Sequence, residues 1–149
     1  MEDVLMLSLE ANLPVPMDEA FAYITQADHL PHWLYTRTTK LAGYYWLGKL
    51  DSEYLLVHED NDDGTQYRVA GIIQEFEEPQ NIGFSWVWID DDNQPKHAPQ
   101  YVRIMLEDYG DGTKLNLFHL GIESEDELAM HKEGWEDCLQ NLERYITEQ

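Results

Sequence analysis

The stretch Gly110–Ile146, GDGTKLNLFHLGIESEDELAMHKEGWEDCLQNLERYI, decides the fold. Leu115, Leu117 and His119 alternate with polar or outward positions, so Thr113–Leu120 reads as a strand with one buried face. Ser124, with Glu127 three residues on, is an N-cap signature. Leu128, His131, Trp135, Cys138, Leu139, Leu142, Tyr145 and Ile146 then recur at the spacing of one helical face. Gly134 costs such a helix about 1 kcal/mol of propensity, tolerable if the helix must pass close to another element there. His119, His131 and Trp135 stand on faces that otherwise bury hydrocarbon. Either they are hydrogen-bonded inside a filled core, or they line a cavity.

Upstream, Leu5, Leu7, Leu9, Ala11 and Leu13 alternate with polar residues and predict a first strand. Pro14 and Pro16 end it and suit the start of a helix, with Asp18 and Glu19 in its first turn. Ala20, Phe21 and Ile24 form one short apolar face; Leu30, Trp33 and Leu34 form another after a break near Asp28. Two short helices are expected here. The middle of the chain is punctuated by turn residues at 61–64, 78–81, 91–93 and 108–112. Between the turns lie the strands Glu53–His58, Gln66–Phe76, Ile82–Ile89 and Tyr101–Leu106, with a weaker one near Tyr44–Lys49. Short connections imply antiparallel neighbours. No linker, repeat or low-complexity segment intervenes, so residues 1–149 read as a single domain.

The charge is extreme: 30 acidic residues against 9 basic ones, a net of −21. Such a field repels nucleic-acid backbones and anionic membrane surfaces, so neither is expected as a partner. It favours solubility, and it also suits a saline host, where salt screens self-repulsion. No stretch approaches the ~18 apolar residues of a membrane span. The first basic residue is Arg37, after Glu2 and Asp3 near the N-terminus, so no targeting signal is expected. The single cysteine, Cys138, excludes an internal disulfide. A cytoplasmic monomer or homodimer is the expectation.

Four ordered matches carry a family resemblance: TQADHLPHWL (Thr25–Leu34), GIIQEFEEPQNIGFSW (Gly71–Trp86), GDGTKLNLFH (Gly110–His119), and HKEGW (His131–Trp135) followed by Leu139 and Leu142. On these the chain resembles the AHSA-like family, the heat-shock-protein ATPase activator homologues of the SRPBCC (START-like) superfamily. The resemblance implies an α+β helix-grip fold of order β-α-α-β6-α, its curved antiparallel sheet wrapped around a long C-terminal helix. It also implies a cavity between sheet and helix. Strand and helix phase point Phe84, Trp86, Ile104, Leu117, His119, His131, Trp135 and Leu139 toward that space, and Trp33, in the aromatic cluster that ends the second short helix, is counted with them.

The function expected on this basis is non-enzymatic binding of a small apolar or aromatic molecule, with tryptophans as walls and the two histidines as polar anchors. Superfamily relatives suggest two rivals: a cyclase- or hydrolase-like enzyme in which His119 or His131 moves protons, and an interaction module acting on a chaperone ATPase. No cofactor, metal or catalytic residue is assigned. Asp60, Asp62 and Asp63 before Gly64 lack the spacing and the final Glu of a calcium loop, and His29 and His32 lack further zinc ligands. Cys138 stands among leucines and reads as packing.

Overall fold

The structure, a computed structural model, describes residues 5–149. Glu2 and Asp3, on which the expectation about targeting rests, lie outside the described residues. Strand β1 (Leu5–Leu13) leads through Pro14 and Pro16 into helix α1 (Met17–Thr25) and a 3-10 segment (Ala27–His32). Strands β2 (Thr39–Tyr45), β3 (Glu53–Asp60), β4 (Gln66–Glu77), β5 (Asn81–Ile89), β6 (Gln100–Tyr109) and β7 (Gly112–Ile122) follow, and helix α2 (Glu125–Thr147) closes the chain. The strands form one antiparallel sheet ordered β1-β7-β6-β5-β4-β3-β2. Register shifts between Leu41 and Gly43 and between Ile73 and Glu75 bend β2 and β4, because an extra residue in one strand increases local twist. The sheet curls into a half-barrel gripping α2. This is the α+β helix-grip arrangement that the resemblance implies, with the β-α-α-β6-α order.

The register aligns the inward side chains in rows. One row runs Leu9, Leu117, Ile104, Ile82; the next runs Leu7, His119, Val102, Phe84, Ile73. Helix α2 lies across these rows, packing against β1 and the 3-10 segment, while α1 packs against β6 and β7. Trp135, Cys138, Leu139, Leu142 and Ile146 are buried, whereas Leu128 and Tyr145 are only half-buried. No helix among the described residues is long and apolar enough to cross a membrane.

Three expectations need correction. The weak strand lies at Thr39–Tyr45 rather than Tyr44–Lys49. After Tyr45 the chain leaves the sheet: Trp46 turns inward, its indole N–H donating to the Thr25 carbonyl at 2.7 Å, and Gly48 takes φ +66°. The second short helix is a 3-10 turn containing Pro31, which has no N–H to offer a longer helix. The N-cap at Ser124 stands as read from the sequence. Ser124 Oγ accepts from the Glu127 N–H at 3.1 Å, while the Glu127 carboxylate turns away to accept from Gln100. Finally, Gly134 is no point of close approach: a methyl group there would meet its nearest neighbour, Thr36 Cγ2, at an ordinary 3.7 Å.

Candidate functional site

Two sites emerge from the space between sheet and helix: a polar network around His119, and an apolar void beside it. His119 is fully buried in a row that is otherwise hydrocarbon. Both of its ring nitrogens are engaged. The Trp135 indole N–H donates to Nδ1 at 3.0 Å, so Nδ1 carries no proton, and Nε2–H donates to Gln100 Oε1 at 2.7 Å. The amide of Gln100 passes the chain on, donating from Nε2 to Glu127 Oε1 at 2.6 Å. Burial, then the neighbouring His131 and His97, push the His119 pKa down to about 3. The ring is neutral and its tautomer is set.

His131, one helical turn before Trp135, sets its ring centroid 4.2 Å from that of His119 with the two planes tilted by 37°. Its Nε2 lies 3.5 Å from Glu127 Oε1, close enough for electrostatic attraction but too long for a good hydrogen bond. That nitrogen is buried without a hydrogen-bond partner. Burial lowers the His131 pKa more strongly than Glu127 raises it.

Trp86 on β5 is the shared wall, with its ring 5.6 Å from His119, 6.2 Å from His131 and 5.4 Å from Trp135. On its other side a void of about 10 Å³ remains, lined by Trp33, Trp46, Phe84, Trp86, Ile104 and Trp135 together with aliphatic side chains. Five of the nine residues expected around a cavity therefore meet at one place: Trp33, Phe84, Trp86, Ile104 and Trp135. The other four do not line it. His119 and His131 belong to the polar network, and Leu117 and Leu139 are packed elsewhere in the core.

Of the four tryptophans around the void, three have their N–H groups committed. Trp33 donates to the Tyr23 carbonyl at 3.1 Å, Trp46 to Thr25, and Trp135 to His119. Trp86 Nε1 is buried with no partner.

Sequence reasoning missed Trp46, Gln100 and Glu127. Trp46 lies just beyond a strand, where no period assigns a face, and Gln100 begins β6 after an irregular loop. Glu127 was legible only as a cap. Also unforeseen are Asp137 and Asn141, polar residues buried on α2. Asp137 accepts from the Arg37 N–H at 3.1 Å, and Asn141 donates to the Tyr35 carbonyl at 2.9 Å. Together they tie down the irregular segment that holds Trp33 against the void.

Comparison with known proteins agrees with this architecture. The AHSA1 protein of Silicibacter pomeroyi superposes with a TM-score of 0.88 at 24% identity, covering 97% of this chain and 99% of that one. A protein of Chromobacterium violaceum gives 0.85 at 17% identity, covering 95% and 96%, and one of Arthrobacter aurescens gives 0.85 at 16%, covering 97% and 87%. At these identities the likeness is one of fold. No curated protein matches the sequence. The family model described as activator of Hsp90 ATPase homolog 1-like protein matches residues 14–147, nearly the whole chain, and the chain belongs to that family.

Proposed function

We propose that the protein binds a compact, largely apolar molecule carrying one hydrogen-bond acceptor, held between the sheet and α2 against Trp33, Phe84, Trp86, Ile104 and Trp135. Family membership supports a ligand-binding or cochaperone-like fold, and the unpartnered indole N–H of Trp86, a residue of this apolar wall, favours binding. A buried donor without a partner costs about 1–3 kcal/mol, and an acceptor on a ligand removes that cost. Proton transfer by His119 finds no comparable support, since its one lone pair is already taken by Trp135.

The void of about 10 Å³ is at the lower limit for a single water, so the ligand enters only as a wall moves. Trp46 is the most exposed wall residue at 8%, held by one side-chain hydrogen bond, with Gly48 two residues on. Its outward swing is the opening that demands least disruption of the core. The test is titration with 2-acetylnaphthalene and with 2-ethylnaphthalene, which lacks the acceptor, followed by tryptophan fluorescence and thermal melting. The ketone is expected to bind about tenfold more tightly, and Trp86→Phe is expected to erase the difference. At a hundredfold excess over Kd the ketone should add about 2.7 kcal/mol of stability. No response to either probe, or a preference that survives in Trp86→Phe, would overturn the proposal.

A further inference from the structure

Only 9 residues of this chain are Lys or Arg, and two of them, Lys40 and Arg144, line the same groove on its outside. The groove, of about 390 Å³, runs between the 3-10 segment, the start of β2 and the last turns of α2. That volume is within the usual range of small-molecule sites, roughly 300–1,000 Å³. Lys40 is paired with Glu59 at 3.2 Å. Arg144 makes no ion pair among the described residues. Its Nη2 donates to Asn141 Oδ1 at 2.6 Å and to the Tyr35 hydroxyl at 3.3 Å, both neutral. Nε and Nη1 keep three donors with no protein acceptor. A guanidinium held in place yet unpaired, in a chain carrying 30 carboxylate side chains, has its charge available to a ligand.

An aromatic wall stands beside it. The rings of His32 and Tyr145 stack at 4.6 Å and 4°, and the Tyr145 hydroxyl lies 2.9 Å from His29 Nδ1, which holds the tyrosine in place. His32 is exposed, so a further flat ring can extend the stack. Glu148 is the one carboxylate among the lining residues, opposed by Arg144, since Glu59 already answers Lys40. We propose that this groove is a second binding site, distinct from the interior void, for a small planar aryl carboxylate. Its ring would lie on the His32–Tyr145 stack and its carboxylate against Arg144. A guanidinium suits a carboxylate through charge-assisted hydrogen bonds. The −21 field repels bulk anions, so only an anion making both contacts gains from entering.

The test is calorimetric titration of the full chain with 2-naphthoate, with amide and indole chemical shifts followed by NMR. One-to-one binding is expected, weakening as sodium chloride is raised. Arg144→Gln should weaken it about tenfold or more while leaving the melting temperature and the response to 2-acetylnaphthalene unchanged. Methyl 2-naphthoate, which has no charge, should leave the shifts of Tyr35, Arg144 and Tyr145 unmoved. Absence of 2-naphthoate binding, equal affinity in Arg144→Gln, or shifts confined to the indoles of Trp33, Trp86 and Trp135 would each overturn the proposal. Binding of 2-naphthyl phosphate with rejection of 2-naphthoate would overturn the carboxylate assignment. Because the ketone reports on the interior and the carboxylate on the groove, either site can fail without the other.

Discussion

Two tryptophans of similar burial, Trp86 and Trp135, differ in what their N–H groups do, and that difference sets the expected cost of replacing them. Trp135→Phe removes the donor to His119 Nδ1 and leaves that nitrogen unsatisfied in a fully buried position. With the cavity it opens, the loss should be about 2–4 kcal/mol. Trp86→Phe also leaves a cavity, but it removes an N–H that had no partner. The two effects oppose each other, and stability should stay within about 1 kcal/mol of the parent. Urea unfolding of both variants checks the contrast; equal losses would show that the hydrogen bonding is not the deciding difference. His119 makes a second expectation. Its folded pKa, about 3, lies below the ordinary value of 6.5. The unfolded state therefore binds more protons between those values, and stability falls as pH is lowered through that window. His131 and His58 are shifted in the same direction by burial, His58 to about 4. In His119→Gln the denaturation midpoint should decline less steeply between pH 6.5 and 4 than in the parent. Parallel curves would remove His119 as a source of the acid sensitivity.

The two glycines that the sequence makes conspicuous behave oppositely once their elements are packed. Gly134 lies inside α2 with room for a methyl group, so Gly134→Ala should stabilise by up to about 1 kcal/mol. Gly71 lies inside β4, where a Cβ would collide with the Ser85 carbonyl oxygen and the Tyr54 ring. Its bareness lets Tyr54 cross the strand, donate to Ser85 O at 2.6 Å, and pack on Trp46 and Phe84 at 5.3 and 5.5 Å between ring centroids. Gly71→Ala should therefore cost about 1–3 kcal/mol. Thermal melting distinguishes the pair by sign. Helical and strand periods made α2 and β1 and β3 to β7 legible, because each buries one face and repeats it. β2 was misplaced because it is an edge strand with no fully buried residue to mark its inward face, and the 3-10 segment was mistyped because Pro31 interrupts it.

For the molecule as a whole, the net charge of −21 is spread over a surface with few cations to answer it. Arg37, Lys40, Arg103, Lys114 and Lys132 are paired with carboxylates, mostly on exposed surface where each pair adds little. Mutual repulsion among the remaining acids should dominate the salt response. Raising sodium chloride from 0.01 to 1 M shortens the screening length from about 30 Å to about 3 Å, and the melting temperature should climb over that range. A flat response would mean that the acidic surface costs the fold nothing. Composition and periodicity were enough to determine the acidic single chain, the strand order along it, the long amphipathic helix, and the inward phase of His119, Trp86 and Trp135. These follow from local patterns that every folded arrangement of the chain must respect. Only the tertiary structure decided that His119 is bonded at both nitrogens, that the interior narrows to about 10 Å³, and that Arg144 and Lys40 share a groove. Those outcomes depend on distances between residues about 16 to 104 positions apart in the chain, and such distances exist only once sheet and helix have packed.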